Sequence, residues 1–374
     1  MNEYTTKNIQ NKIAEFVKKE TVLCIAAALA AVSAVIVPPS RAYLGYIDFR
    51  VLALLFCLMV AVAGFQSVGL FEFLAEKLFE GIANLRQLVS ILVFLCFFTS
   101  MFVTNDVALI TFVPFAIMIL TMAGHEDRMI FVIVLQTLAA NLGSMFTPIG
   151  NPQNLYIFAV SKMSVWNFLK TMAPATLVAF ALLAGTILFV KREPIKIMKR
   201  HRGRIEGRRR LAGYVILFLL CIGTVVHLVD YRVMTAIVVA AAFFMDRNLI
   251  KKADYSLLLT FAAFFIFVEN IGSIDAVNHA LKQMVEGRVL ISGLIISQGI
   301  SNVPAAILLS DFTSDYKDLL LGVNIGGLGT LIASMASLIS YKLYSGTRGA
   351  DRKKYLGMFT GLNVVYLLFF MIVI

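Results

Sequence analysis

Charge is scarce in this chain: Asp, Glu, Lys and Arg make up 15% of its 374 residues, against 60% hydrophobic residues. Soluble domains run nearer 45–50% apolar, so a mean hydropathy of +0.86 excludes a soluble globular protein. Cysteine is sparse too. Cys24, Cys57, Cys96 and Cys221 fall singly inside apolar runs with no CxxC spacing, which argues against a disulfide framework or a zinc site. His125, His201, His227 and His279 make no HExxH or HxxxH pattern, and no GxSxG occurs. Without a nucleophile beside a base, or paired intramembrane carboxylates, no enzymatic activity and no resident cofactor are expected. Acidic residues are outnumbered, giving a net charge of +11. Ten of the 33 Lys and Arg crowd between Lys191 and Arg210, as in a cytoplasmic loop held back from translocation rather than a nucleic-acid patch.

What is present is apolar sequence in long runs. Segments near 21–37, 48–66, 86–103, 107–123, 129–142, 166–190, 211–229, 231–246, 255–268, 318–341 and 355–374 approach the ~20 residues that carry a helix across ~30 Å of hydrocarbon. The expected fold is an all-α polytopic membrane protein. Residues 1–20 are polar, lack a cleavage site and read as a retained cytoplasmic segment. A first repeat covers 21–190, with an interfacial helix at 67–84, a re-entrant hairpin at 86–123 and a broken helix at 128–160. The basic loop 191–210 and a linking span 211–229 follow. A second repeat covers 230–374, with a hairpin at 288–313 and a broken helix at 316–345. The plan has about nine full crossings. It puts 25 Lys and Arg inside and 8 outside, with the N-terminus cytoplasmic and the C-terminus external in a plasma or inner membrane.

The two repeats rest on matching blocks in the same order. FVTNDVALI (102–110) faces GISNVPAAI (299–307), and NLGSMFTPIGNPQNL (141–155) faces NIGGLGTLIASMASL (324–338). Asn141, Gly143, Thr147, Ile149 and Leu155 recur as Asn324, Gly326, Thr330, Ile332 and Leu338. An odd number of crossings between them inverts the second half, the geometry on which alternating access depends.

Polar residues inside these blocks carry the functional expectation. Thr104, Asn105 and Asp106 form the first tip, with Ser301 and Asn302 at the equivalent place in the second half. Such residues also serve as plain helix caps. A tip that starts a helix inside the protein leaves backbone N–H groups open to an anionic ligand, so this set is assigned to substrate. Gly143, Ser144, Thr147, Gly150 and Asn151, with two prolines among them, interrupt a helix and are assigned to a cation site or to a simple kink. Gly326, Gly329 and Thr330 play the same part without proline, so the second break should be the softer. Asp106 and Glu269 are the candidate coupling carboxylates. A carboxylate at the tip repels a second negative charge unless it is protonated or bound to a cation, which weakens a simple dicarboxylate picture.

TNDVALITFVP with SNVPAA, and NLGSMFTPIGNPQN with NIGGLGT, resemble the ion-transporter superfamily over about 45–345. That superfamily includes the SLC13 divalent anion:sodium symporters, citrate-type permeases, arsenite permeases and one class of sodium/proton antiporters. The dicarboxylate symporters resemble Ser-Asn-Thr at both tips; here Asn matches twice and the third position departs twice, as Asp106 and Val303. The Asn-Asp pair is closer to the arsenite-permease type. The resemblance implies a homodimer with a fixed scaffold and a moving unit, carrying a small-molecule or ion substrate coupled to sodium or protons. The expectation is secondary transport of a small anion or oxyanion by elevator-like movement, with sodium/proton antiport as the alternative and a channel as the weaker rival.

Overall fold

The computed structural model describes residues 20–79, 82–195, 205 and 207–374. Most of the N-terminal segment 1–20 and most of the basic loop lie outside the described residues. Among those described there is no β-strand, only an isolated bridge between Asn84 and Pro194. The main helices are α1 (Thr21–Ile36), α2 (Phe49–Ser67), α3 (Leu70–Phe79), α4 (Leu85–Val103), α5 (Asn105–Met122), α6 (Met129–Ser144), α7 (Pro152–Ser161) and α8 (Val165–Leu188). Beyond the basic loop come α9 (Arg208–Val225), α10 (Tyr231–Met245), α11 (Tyr255–Gly272), α12 (Asp275–Val285), α13 (Val289–Ile300), α14 (Asn302–Ser310), α15 (Tyr316–Ile325), α16 (Met335–Ser345) and α17 (Arg352–Val373).

Their starts follow from side-chain caps that relieve the orphan N–H groups of a first turn. Asp48, Asn84, Asp254 and Asp351 each accept from the backbone N–H three residues on, at 3.0, 3.1, 2.9 and 3.0 Å. Among the described residues, six helices are long and apolar enough to cross a membrane: α2, α4, α5, α8, α11 and α17. Six of the eleven apolar runs named from sequence, 48–66, 86–103, 107–123, 166–190, 255–268 and 355–374, coincide with these helices to within a few residues.

α4 and α5 form a hairpin whose outer ends meet the same segment. At one end, Leu85 N donates to Glu193 O (2.8 Å) and Arg86 Nε to Val190 O (2.7 Å). At the other, His125 Nδ1 lies 4.0 Å from the Glu193 carboxylate. α13 and α14 form the second pair, but at 12 and 9 residues they are only roughly 18 Å and roughly 14 Å long. The two hairpins therefore share a plan and differ in depth.

Both broken helices are present. The first is interrupted between Ser144 and Pro152, the second between Ile325 and Met335, with a 3₁₀ turn at Leu331–Ala333. The second break is thus the longer of the two, contrary to the expectation that a break without proline would be softer. Gly326, Gly327 and Gly329 remove helix propensity there, and Gly329 sits at φ +105°, outside any helix. Gly143 and Ser144 correct the sequence reading in a second way, because they complete the last turn of α6 instead of lying in the unwound segment.

Close helix contact depends on two glycines. A Cβ on Gly143 would stand 2.1 Å from Phe97 O, and one on Gly322 would stand 2.4 Å from Leu290 O. Small residues let backbones approach where lipid supplies no hydrophobic drive for association. Gly143→Ala and Gly322→Ala are each expected to lower stability by about 1–3 kcal/mol, read as an earlier thermal unfolding midpoint in detergent. Gly185→Ala, with open space around its Cβ, should leave the midpoint nearly unchanged.

Candidate functional site

Each hairpin turns on one residue with an unusual backbone. Thr104 has φ 78° and ψ 151°, and Ser301 has φ 76° and ψ 153°. This region is essentially a glycine preserve, and a side chain held there costs of order 1–3 kcal/mol. The surroundings impose it at both tips in parallel ways. Asn105 N donates to Gly150 O at 3.1 Å, while Ser301 Oγ reaches Ala333 O at 3.5 Å. Thr147 Oγ1 donates to Met101 O, and Thr330 Oγ1 to Gln298 O at 3.0 Å. Each tip is therefore latched to the break that follows it in sequence.

The two breaks are cross-tied by buried amides. Asn141 Oδ1 accepts from Asn105 Nδ2 (3.1 Å) and Ser334 Oγ (3.0 Å), and its Nδ2 approaches Ser337 Oγ at 3.4 Å. In the other direction, Asn324 Oδ1 accepts from Asn151 Nδ2 (3.0 Å), and Asn324 Nδ2 donates to Asn154 Oδ1 (2.7 Å). Asn141 aligns with Asn324, Asn151 with Ser334, and Asn154 with Ser337. The same bonds thus recur with the halves exchanged. Asn105 and Ser301 are connected through Asn141, Ser334 and Ala333, a chain of adjacent polar contacts.

The first tip opens on a cavity. A space of about 340 Å³ is lined by Thr104, Asp106, Asn151 and Gln66, with Lys252 and Asp254 from the segment before α11. The rest of its wall is apolar, including Leu58, Val62, Val103, Val107 and Leu257. Gln66 Nε2 is itself bonded to Thr111 Oγ1 at 3.2 Å. Ser301 and Asn302 are buried, and Thr330 is exposed, but none of the three lines this cavity. The side-chain amide of Asn105 is committed to Asn141, and its oxygen accepts from Asp106 N at 3.0 Å.

The predicted residues thus divide into groups. Thr104, Asp106 and Asn151 share the cavity, whereas Asn105, Ser144 and Gly150 support it from behind. Ser301, Asn302, Gly326, Gly329 and Thr330 form the counterpart around the second tip. Glu269 belongs with none of them: it is exposed near the end of α11, while its neighbour Asn270 is buried and donates to Ser33 Oγ (3.0 Å) and Tyr43 OH (2.8 Å). Asn154, Gln298, Ser334, Ser337, Lys252 and Asp254 were missed. The legible signal was a Gln or Asn inside an apolar run, a placement that demands a partner. Among the described residues, no cluster of three His, Cys, Asp or Glu could hold a metal ion.

Comparisons with known proteins point to membrane transporters. The inner membrane protein YbiR of Escherichia coli is 33% identical over 312 residues, covering 81% of this chain and 82% of that protein. An uncharacterized transporter of Methanocaldococcus jannaschii is 28% identical over 330 residues, covering 88% and 89%. The silicon efflux transporter LSI3 of Oryza sativa is 35% identical over 133 residues, covering 35% of this chain and 27% of its own length. The citrate transporter family model matches residues 12–314. An integral membrane protein with this match over most of its length is a transporter, and the chain belongs to the citrate transporter family.

Proposed function

We propose that this protein is a secondary active transporter of a small anion or oxyanion, working by an elevator-type movement coupled to sodium or protons. The observation that carries the reading is the cavity at the strained first tip, where Thr104, Asp106 and Asn151 share a largely apolar lining with Gln66, Lys252 and Asp254. Such a pocket, mostly apolar with a few convergent polar groups, is the usual form of a small-solute site. A family named for citrate and a relative named for silicon efflux support a small solute as the substrate.

The inverted-repeat reading draws on the ends of the helices. Asn270 ties the end of α11 to Ser33 and Tyr43, beside the start of α2. The outer ends of the first hairpin meet 190–195, next to the basic loop. Under this reading the hairpins enter from opposite faces, and the matching bonds of Asn141 and Asn324 lie about a pseudo-two-fold axis between them. Lys252 and Asp254 line the cavity, and under the charge-based topology they fall on the basic-loop side, so the cavity is read as facing the cytoplasm. Asp106 is the coupling carboxylate, and a carboxylate in such a pocket needs a proton or a cation beside it. A carboxylate at the tip itself also favours sodium/proton antiport as the second reading. A homodimer completes the proposed assembly.

Counterflow in proteoliposomes loaded with citrate, succinate, phosphate, silicic acid or arsenite is expected to show saturable exchange of at least one solute. If no solute exchanges but a sodium jump drives proton movement, antiport replaces the first reading. Asp106→Asn should retain solute binding while losing its dependence on the ion gradient. A cysteine at Val107, with the four native cysteines replaced by serine, should react with a membrane-impermeant maleimide faster in inside-out than in right-side-out vesicles; the reverse order refutes the cytoplasmic opening.

A further inference from the structure

Both unwound loops close around a side-chain NH₂ group. In the first break, Asn154 Nδ2 lies 3.3 Å from Ser144 O, 3.1 Å from Met145 O and 3.0 Å from Thr147 O. In the second, Gln298 Nε2 lies 2.7 Å from Gly326 O and 2.9 Å from Leu328 O, with Leu294 O of its own helix α13 as the third oxygen at 3.2 Å. The opposite end of each amide is also fixed. Asn154 Oδ1 accepts from Asn324 Nδ2 (2.7 Å), and Gln298 Oε1 from Thr330 N (3.0 Å). An amide turned the other way would set its oxygen against three carbonyls, so the bonding pattern decides the orientation.

The two groups come from different places. Asn154 belongs to α7, the second arm of its own broken helix, where its partner by repeat is Ser337. Gln298 belongs to the hairpin arm α13, where its counterpart is Met101, a side chain unable to donate. Different residues thus arrive at one outcome: a ring of three backbone oxygens around a bound donor carrying partial positive charge. The fit at the second loop is close, since a Cβ on Gly329 would stand 2.3 Å from Gln298 Oε1. Thr330 Oγ1, the hydroxyl nearest this loop, already donates to Gln298 O and accepts from Ala333 N at 3.2 Å.

We infer that the carboxamides of Asn154 and Gln298 are positioning groups that fill the two carbonyl loops, so that neither break takes a metal cation. Helix breaks in a membrane leave carbonyls that must be satisfied internally, and a monovalent cation is one means of doing so. Here a covalently tethered NH₂ does it instead, in the space an ion using the same oxygens would need. The loops keep their shape in every ionic condition, and the coupling charge is confined to Asp106 at the first tip. That last consequence rests on the transport reading, whereas the filling of the loops does not.

The test is thermal unfolding of the full chain in detergent, titrated with NaCl against choline chloride at constant ionic strength. A true sodium site stabilises the folded protein in a saturable way. The wild type is expected to show no saturable sodium shift, or one that Asp106→Asn abolishes; either outcome supports the inference. A saturable shift that survives Asp106→Asn locates a cation in the breaks and overturns it. Gln298→Glu replaces the donor with a carboxylate amid the same carbonyls, and should acquire a sodium-dependent rise of several degrees. A folded Gln298→Glu protein without that rise counts against a cation-sized loop, and if this variant does not fold, the wild type and Asp106→Asn decide alone. None of these readings requires solute exchange, so failure of the transport reading in counterflow is a separate result.

Discussion

Every buried backbone break in an apolar medium must find partners for the carbonyls and N–H groups it releases, and the centre of this protein is organised by that requirement. Unpaired polar groups in hydrocarbon cost several kcal/mol each. Two helices are nevertheless interrupted, and two hairpin tips start helices within the protein. Compensation comes from a set of short amide and hydroxyl side chains, Asn105, Asn141, Asn151, Asn154, Gln298, Asn324, Ser334 and Ser337. Each bonds to a break, a tip or another member. Neutral groups suit this task because they satisfy donors and acceptors together without the desolvation penalty of an ion pair.

The same network accounts for the two strained turns. Thr104 and Ser301 hold nearly identical backbone angles that side chains seldom adopt, and such strain persists only where the surroundings over-determine it. The tip and its break hold one another: the break supplies the carbonyls of Gly150 and Ala333, and the hairpin supplies the carbonyls of Met101 and Gln298. A tip tied to its break in this way is suited to move as a unit with it. That is the mechanical property the proposed elevator movement requires.

Chemical asymmetry sits on this shared plan. The first half puts Asp106 beside an open cavity, and the second puts the apolar Val303, which is buried, at the corresponding position. Lys252 and Asp254 reach the first site from outside either hairpin. The segment before α11 and the first tip thus both contribute charged groups to one space, while the second tip contributes packing and hydrogen bonds.

Much of the fold was legible from residue order alone. Apolar runs gave the helices because length and hydropathy are local properties, and the paired blocks marked Asn141 with Asn324 before any contact was known. The prolines and glycines at 143–152 announced a break, although not that Gly143 and Ser144 would finish the helix before it. The tips were legible as Thr104 to Asp106 and Ser301 to Asn302. The role of Asn105 was not, since a side-chain amide reads alike whether it meets a solute or Asn141. Glu269 looked equal to Asp106 in sequence because both end or begin apolar helices; only packing exposed one and set the other against a cavity. Local composition determined that this chain is helical, membrane-embedded and twice interrupted. Which amides close the interruptions, and which carboxylate faces the cavity, were decided by the tertiary structure, because hydrogen bonds between residues far apart in the chain exist only once the helices have packed.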